Sequence, residues 1–205
     1  MCTKIKLCGM FRTQDIDYVN ELLPDYVGFV LNFPKSHRSI DGSKAKQLKE
    51  KLSTKIKAVG VFVEEKAEIC AELANSGVID MIQLHGSENA EYIQNLKKLT
   101  DVPIIKAVNV TSANDIEQAQ TLGADYLLLD GGTGSGKAFD HSLIENMKIR
   151  QPFFLAGGLT TDNTGTAIKK FSPFAVDVSS ALETDGIKDY NKMAAFVNAV
   201  RKDLL

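Results

Sequence analysis

The sequence contains little of what metal centres, disulfide scaffolds, nucleic-acid surfaces and membrane spans require. It has only three cysteines and three histidines among 205 residues. The cysteines are odd in number and lack metal-type spacing, and the histidines lie far apart, which predicts reduced thiols and no metal site. The net charge is −2 without any basic cluster, which argues against nucleic-acid binding. No apolar run reaches the length of a membrane span and no signal peptide is evident, so we expect a cytoplasmic protein.

Strand-like and helix-like segments alternate along the whole chain. The segment 56–63 is apolar on both faces, as expected of a strand in a parallel sheet that helices cover on both sides. Eight strand–helix units, about 25 residues apart, predict a single (β/α)8 TIM barrel domain over residues 1–205. A doubly wound open sheet is the structural alternative. The strand-like segments are 4–9, 26–31, 56–63, 79–84, 103–110, 126–129, 152–156 and 174–178.

The helical segments carry one apolar face each, and several of their residues can be given specific positions. We expect Thr13 to cap the first helix, and Leu22 and Leu23 to lie on its buried face. Leu99 is expected to be buried at the end of the fourth helix. Cys70 lies on the apolar face of the third helix and is most simply a packing residue.

The carboxyl ends of all strands of such a barrel meet on one face, where active sites lie. Polar and small residues follow or end most of the predicted strands, in a combination that is more specific than any one of them. The first strand, in which Ile5 and Leu7 alternate with Lys4 and Lys6, ends at a thiol. The set is Cys8, Arg38, Gln83, His85, Asp130, Gly157, Gly158, Asp177, Ser179 and Ser180.

Two turns in this set follow the seventh and eighth strands, where barrels often bind phosphate through backbone N–H groups. Gly157-Gly158 allows close approach of the backbone, and Ser179-Ser180 adds hydroxyl donors. Either turn alone is explained as well by a tight glycine turn or a serine helix cap. The two together favour a phosphate site.

A glycine-rich loop after the sixth strand offers a competing interpretation. Residues 131–137 match the pattern G-x-x-x-x-G-K of nucleotide-binding loops. The hydroxyl that should bind Mg²⁺ is missing because Ala138 takes its place, and the next helix is expected to begin only near Asp140. A nucleotide-dependent protein is therefore a weak alternative, and a loop that covers the active site fits these glycines better.

Five segments in order along the chain together resemble the phosphoribosylanthranilate isomerase family. The resemblance implies a cofactor-free Amadori rearrangement of phosphoribosylanthranilate in tryptophan biosynthesis, with Cys8 as general base and Asp130 as general acid. It also implies that Arg38 binds the carboxylate of the substrate's anthranilate group. The segments are Lys6-Leu7-Cys8-Gly9, 27–38, Gln83-Leu84-His85-Gly86, Leu128-Leu129-Asp130 with Gly134-Ser135-Gly136-Lys137, and Asp177-Val178-Ser179-Ser180.

Three positions depart from the family's usual pattern. Ala181 stands where glycine is usual after the two serines, His141 replaces an aromatic residue, and Met10 follows Cys8-Gly9. None of these changes removes a catalytic group. Ala181 bears most directly on function, because it restricts the backbone of the predicted phosphate turn.

The proposed roles make an electrostatic demand. A free aspartate titrates near pH ~3.9 and a free cysteine near pH ~8.5, so the pKa of the acid must be raised. We also expect cationic surroundings to lower the pKa of the thiol.

A non-catalytic sugar-phosphate binding protein, and another barrel enzyme such as an aldolase or epimerase, are the remaining alternatives. We expect a monomer whose partner is a phosphosugar, and the sequence leaves open activity on the related aminoaldose of histidine biosynthesis.

Overall fold

The computed structural model of the chain describes residues 3–131, 142–145 and 147–202. Within these residues, eight parallel strands alternate with helices and close into a barrel. None of the described helices has the length and apolarity needed to cross a bilayer. The barrel strands are β1 (Lys4–Cys8), β2 (Tyr26–Leu31), β4 (Lys57–Phe62), β5 (Met81–Leu84), β6 (Ile104–Asn109), β7 (Tyr126–Asp130), β8 (Phe153–Leu155) and β9 (Ala175–Val178).

Helices follow the barrel strands, and three short strands lie outside the barrel. The helices are α1 (Thr13–Leu22), α2 (Gly42–Lys51), α3 (Ala67–Asn75), α4 (Ala90–Leu99), α5 (Ala113–Ala119), α6 (Ser142–Glu145), α7 (Thr164–Phe171) and α8 (Tyr190–Lys202). The additional strands are β3 (Ser39–Ile40), β10 (Glu183–Thr184) and β11 (Ile187–Lys188).

The strand order is β1-β9-β8-β7-β6-β5-β4-β2, and β1 also pairs with β2, which closes the ring. At the closure, Lys6 lies opposite Asp177 of β9 on one side and Tyr26 of β2 on the other. The predicted (β/α)8 barrel is therefore confirmed, and the open doubly wound sheet is wrong.

Apolar side chains form two layers, one between strands and helices and one inside the barrel. Leu128 faces the interior, whereas Leu127 and Leu129 face the helices, as expected from the alternation of side chains along a strand. Tyr26 and Tyr126, which begin β2 and β7, contact the ring of Phe154 at centroid distances of 5.7 and 5.8 Å. These rings fill the amino-terminal end of the barrel and leave the other end for a site.

The ends of two helices differ from the sequence-based expectation. Arg12, not Thr13, is the cap of α1, where Asp15 accepts from the backbone N–H groups of Phe11 and Arg12. Leu23 is 41% exposed because it adopts a left-handed conformation (φ 49°) that turns the chain away after α1. Leu99 is 38% exposed as the last residue of α4. Periodicity predicted these two leucines wrongly because it does not register where a helix ends.

Cys70 is buried on α3, as predicted, with its sulfur 3.5 Å from the hydroxyl of Tyr92. Burial raises the pKa of Cys70 to about 11, so its thiol stays protonated at neutral pH. The third cysteine, Cys2, and the predicted cap Asp140 lie outside the described residues.

A small hairpin after β9 was not predicted. β10 and β11 pair antiparallel through a two-residue turn, in which Asp185 and Gly186 have φ values of 52° and 76°. Asp-Gly is a frequent pair for such a turn, so the dipeptide was a usable signal. The strands have only two residues each, too few to show an alternating pattern.

Close packing around Gly60 of β4 generates a stability prediction. A Cβ added there would lie 2.7 Å from Ile79, 2.8 Å from Phe62 and 3.0 Å from Leu31, all buried. We expect Gly60→Ala to lower the free energy of unfolding by about 1–3 kcal/mol in urea denaturation. Gly42→Ala is the control, because its one close neighbour, the half-buried Leu73, can rotate. Equal stability of the two variants would contradict the packing argument.

Candidate active site

The carboxyl end of the barrel brings together several of the residues selected from the sequence. Cys8 is the last residue of β1, and Asp130 is the last residue of β7. Gln83 lies in β5, His85 directly follows that strand, and Asp177 lies in β9. These five side chains therefore come from four different strands and share one face.

Cys8 is almost fully buried, with 7% of its surface exposed. Its sulfur occupies space that only a glycine on the neighbouring strand leaves open. A Cβ at Gly28 would lie 2.5 Å from the Cys8 sulfur, which is closer than atoms can pack. Gly28 therefore fixes the position of the thiol by leaving room for it.

Lys6, two residues before Cys8, is fully buried and lies on the same face of β1. Its ammonium donates to Asp177 Oδ1 at 2.9 Å. Burial alone lowers the pKa of Lys6, but Asp177 and the Cys8 thiol outweigh it and raise that pKa. Burial raises the pKa of Asp177 against the pull of Lys6. We treat the pair as ionised, because the raised pKa of Lys6 requires a negative neighbour.

The thiol of Cys8 experiences opposing influences. Burial raises its pKa, Lys6 lowers it, Asp177 raises it and Lys188 lowers it. The two lysines lower the pKa of the thiol as expected, but burial is the largest influence and the net direction is upward. Loss of water outweighs the two lysines, which nevertheless favour the thiolate that a base requires.

Gln83 and His85 form a polar pair beside Asp130 and Asp177. The side-chain nitrogen of Gln83 lies 3.0 Å from His85 Nδ1. Desolvation lowers the pKa of His85, although Asp130 and Asp177 raise it. His85 is an exposed residue, and the direction of this shift favours its neutral form. The imidazole ring of His85 is therefore neutral near pH 7, and it can donate a hydrogen bond to a neutral group or accept one from it.

A second buried lysine supports the loop after β5. Lys106 of β6 donates to Gly86 O at 2.6 Å and to Glu88 Oε2 at 3.0 Å. The Glu88 carboxylate also accepts from the backbone N–H groups of Glu64 and Gly86. Sequence reasoning missed both Lys6 and Lys106, although a lysine two residues from Cys8 on one strand must share its face.

Arg38 reaches the mouth from the loop between β2 and β3, where the structure pairs it with an acid that the sequence did not indicate. Its Nε and Nη2 donate to the two carboxylate oxygens of Glu183 at 2.6 and 2.5 Å. Glu183 in turn accepts from the buried ammonium of Lys188 at 2.6 Å. Arg38 passes over Gly9, whose absent Cβ would lie 2.5 Å from Arg38 Cδ.

The two predicted phosphate turns lie side by side, after the adjacent strands β8 and β9. Gly157 and Gly158 have φ values of 81° and 68°, which side chains rarely allow. Ser179 uses its hydroxyl to donate to Cys8 O at 3.1 Å, and Ser180 is exposed. The arrangement offers backbone N–H groups and one exposed hydroxyl to an anion.

Four other features were singled out in the sequence, namely the glycine-rich loop and the three positions that depart from the family's pattern. The loop 131–137 beyond Gly131, and also His141, lie outside the described residues. Met10 is fully buried and Ala181 is exposed beside the phosphate turn. Over the part of the chain that the structure describes, no group of three or more His, Cys, Asp or Glu is placed to hold a metal ion.

Comparison with known proteins gives one consistent family. Residues 5–199 match the family model of N-(5'-phosphoribosyl)anthranilate (PRA) isomerase. The isomerase of that name from Clostridium acetobutylicum is 48% identical, over 97% of this chain and 98% of the relative. The one from Thermoanaerobacter pseudethanolicus is 41% identical, with the same coverage of both chains.

Solved structures agree with the sequence comparison. The phosphoribosyl anthranilate isomerase of Thermotoga maritima superimposes with a TM-score of 0.88 at 35% identity, covering 98% of this chain and 99% of that one. A second isomerase structure, with a TM-score of 0.86 at 33% identity and the same coverage, is a complex with reduced 1-(o-carboxyphenylamino)-1-deoxyribulose 5-phosphate.

The Lys6–Asp177 pair predicts opposite effects of two substitutions on the reactivity of Cys8. Lys6→Gln removes a cation that favours the thiolate, so the pH at which iodoacetamide alkylates Cys8 at half-maximal rate should rise. Asp177→Asn removes an anion that opposes the thiolate, so that pH should fall. At neutral pH the two alkylation rates should therefore differ severalfold.

The measurement follows alkylation of Cys8 by mass spectrometry, with Cys8→Ser as the background for the other thiols. The double variant Lys6→Gln/Asp177→Asn restores neutrality of the pair and should lie between the two single variants. A shift in the same direction for both single variants would indicate general disturbance of the barrel and contradict the electrostatic interpretation.

Proposed function

The chain belongs to the N-(5'-phosphoribosyl)anthranilate isomerase family, and we propose that Cys8 and Asp130 are the general base and general acid of its reaction. The enzyme is an aldose–ketose isomerase that converts phosphoribosylanthranilate to the corresponding aminoketose in tryptophan biosynthesis. The observation that supports the assignment is the position of Cys8 and Asp130 at the ends of β1 and β7, facing the same barrel mouth.

The proton transfers follow from these positions. Asp130 gives a proton to the ring oxygen of the furanose while the C1–O bond breaks and the anthranilate nitrogen forms a double bond to C1. The Cys8 thiolate then takes the proton from C2, and the electrons of that bond form the C1–C2 double bond as the nitrogen regains its pair. The resulting enol loses the proton of its C2 hydroxyl and gains a proton at C1, which gives the aminoketose. Each transfer contributes about 10²- to 10⁴-fold to the rate.

The anchoring groups lie on both sides of this pair. Arg38 binds the carboxylate of the anthranilate, for which a guanidinium offers two parallel donors. The turns at Gly157-Gly158 and Ser179-Ser180 bind the phosphate. A phosphosugar ligand is supported by the isomerase structure that holds a reduced carboxyphenylamino-deoxyribulose phosphate. Gln83, His85 and Asp177 line the space between the two anchors and bind the sugar.

The competing functions lack support at the site. A Schiff-base lysine, as in aldolases, must present a free amine, whereas the ammonium of Lys6 is bound to Asp177 and that of Lys188 to Glu183. A protein that only binds sugar phosphate has no need of a thiol and a carboxyl at the mouth. We further propose that no metal or nucleotide takes part.

Three broader properties belong to the same proposal. We place the enzyme in the cytoplasm and treat residues 1–205 as one barrel domain. We also propose a monomer, because the exposed large apolar residues found in the described part of the chain, Leu23, Leu99 and Ile187, lie on separate elements. A related enzyme from Thermotoga maritima is described as dimeric, so the proposal of a monomer concerns the present chain alone.

The acid–base assignment is tested by two substitutions that keep shape and remove proton transfer. Cys8→Ser replaces the thiol by a hydroxyl whose proton is far harder to remove, and Asp130→Asn cannot donate the ring-opening proton. We expect kcat to fall by about 10²-fold or more in each variant, with little change in the affinity for product. The measurement is the fluorescence decay of freshly generated phosphoribosylanthranilate.

Cys70→Ser is the matched control, since this thiol packs against Tyr92 on the outside of the barrel. Its kcat should stay near that of the wild type. Near-normal turnover of Cys8→Ser or Asp130→Asn would refute the assignment even though the protein is an isomerase.

The phosphate assignment is tested by an anion in crystals. We expect sulfate to bind between the ends of β8 and β9, on the backbone N–H groups of the Gly157-Gly158 and Ser179-Ser180 turns. Competition with phosphoribosylanthranilate in solution should accompany binding at this position. Sulfate bound only at the loop 131–137 would reverse the assignment and favour a nucleotide-type loop.

A further inference from the structure

A buried acid, Glu183, lies between two cations at the edge of the barrel mouth. Arg38 donates to both of its carboxylate oxygens, at 2.6 and 2.5 Å. The ammonium of Lys188, which has no exposed surface, donates to Oε1 at 2.6 Å. His37 Nε2 lies 3.8 Å from the other oxygen and is half exposed. None of these contacts is explained by the acid–base chemistry of Cys8 and Asp130.

Glu183 is ionised and held in place before any ligand binds. Burial would raise its pKa, but hydrogen bonds and attraction from Arg38 and Lys188 outweigh burial, and the pKa is lowered. Its hairpin is fastened at two further points. Arg12 of the α1 cap donates to Lys188 O at 3.0 Å, and Lys192 of α8 donates to Glu183 O at 2.6 Å.

The same network reaches the catalytic strand. Lys188 also donates to Ser179 O at 2.9 Å, and the Ser179 hydroxyl donates to Cys8 O at 3.1 Å. The hairpin, the phosphate turn and the end of β1 are thus joined by hydrogen bonds. A displacement of Glu183 would be transmitted to groups on both sides of the substrate.

The geometry of the pair leaves a defined part of the guanidinium for another anion. Glu183 binds the edge formed by Nε and Nη2, so the edge formed by Nη1 and the second hydrogen of Nη2 points elsewhere. Gly9 also confines Arg38, because the Cδ atom of Arg38 occupies the space in which a side chain at position 9 would lie. A long side chain that normally samples many rotamers is thereby restricted to one orientation.

The charges in the cluster fit one incoming carboxylate. Arg38 and Lys188 contribute two positive charges and Glu183 one negative charge, which leaves one positive charge. We propose that Glu183, held by Lys188, is a positioning residue that orients Arg38 for the carboxylate of the anthranilate group and so determines specificity for it. The inference rests on the proposed role of Arg38 and adds a residue that does not itself contact substrate.

The test compares two ligands that differ only in the carboxylate. One is reduced 1-(o-carboxyphenylamino)-1-deoxyribulose 5-phosphate, and the other is the same compound with a phenyl group instead of the carboxyphenyl group. Calorimetric titration gives the Kd of each without turnover. Glu183→Gln should weaken binding of the carboxylated ligand by about tenfold, since a misplaced guanidinium loses a directional contact, and weaken the phenyl ligand less than twofold.

One further variant separates the possible failures. Arg38→Met should abolish the preference for the carboxylated ligand. If that preference survives, the proposed role of Arg38 is wrong. If it is lost in Arg38→Met but intact in Glu183→Gln, only the positioning role of Glu183 is wrong. Equal weakening of both ligands by Glu183→Gln would show general damage to the mouth and would also overturn the inference.

Two controls address local charge and folding. His37→Gln changes an exposed neighbour of the same carboxylate and should leave both Kd values within twofold of the wild type. Glu183→Gln/Lys188→Met removes both buried charges, so no unpaired charge is left inside. If this double variant folds and retains the full preference for the carboxylated ligand, Glu183 is not required to orient Arg38.

Discussion

The site depends on an ammonium group buried inside the barrel at the seam where β1 meets β9. Lys6 and Asp177 face each other in the strand register, and their hydrogen bond spans 2.9 Å without solvent. Removal of one partner of a buried ion pair costs about 3–5 kcal/mol of stability, because the other charge is left buried without a neighbour. Neither residue can therefore be replaced alone without a loss of stability. Because Cys8 lies two residues beyond Lys6 on the same face, this ion pair also sets the electrostatic surroundings of the proposed base.

Most of the fold is predictable from the sequence, because it depends on features that recur along the chain. The strand Tyr26–Leu31 coincides with the segment that apolar patterning indicates, and eight strand–helix units close the barrel. Leu23 and Leu99 were assigned wrongly because a helix ends by a change of backbone conformation, which periodicity does not contain. The hairpin of β10 and β11 was missed since two-residue strands carry no pattern.

The residues of the candidate site likewise include some that the sequence could identify and some that it did not. Cys8, Asp130 and Arg38 could be selected because resemblance and position at strand ends single them out. Lys6 and Glu183 were not selected, because a buried charge looks like a surface charge in sequence until the neighbour that neutralises it is known. For Lys6, strand alternation could have indicated the face that it shares with Cys8, but not its burial. Those neighbours lie 171 residues away for Lys6 and 145 residues away for Glu183. Contacts of such separation are determined by barrel closure, not by local pattern.

The proposed role of Cys8 as the base would account for the number of fixed cations at the mouth. Burial protects a thiolate from solvent but raises the pKa of Cys8, and a substrate that carries a phosphate and a carboxylate adds negative charge beside it. Each anion that binds would therefore disfavour the thiolate unless a cation lies near. Lys6 beneath the thiol, and Lys188 and Arg38 beside it, provide this compensation, while Asp177 and Glu183 keep those cations stationary. The acids of the mouth thus serve the base indirectly, by fixing where positive charge can be.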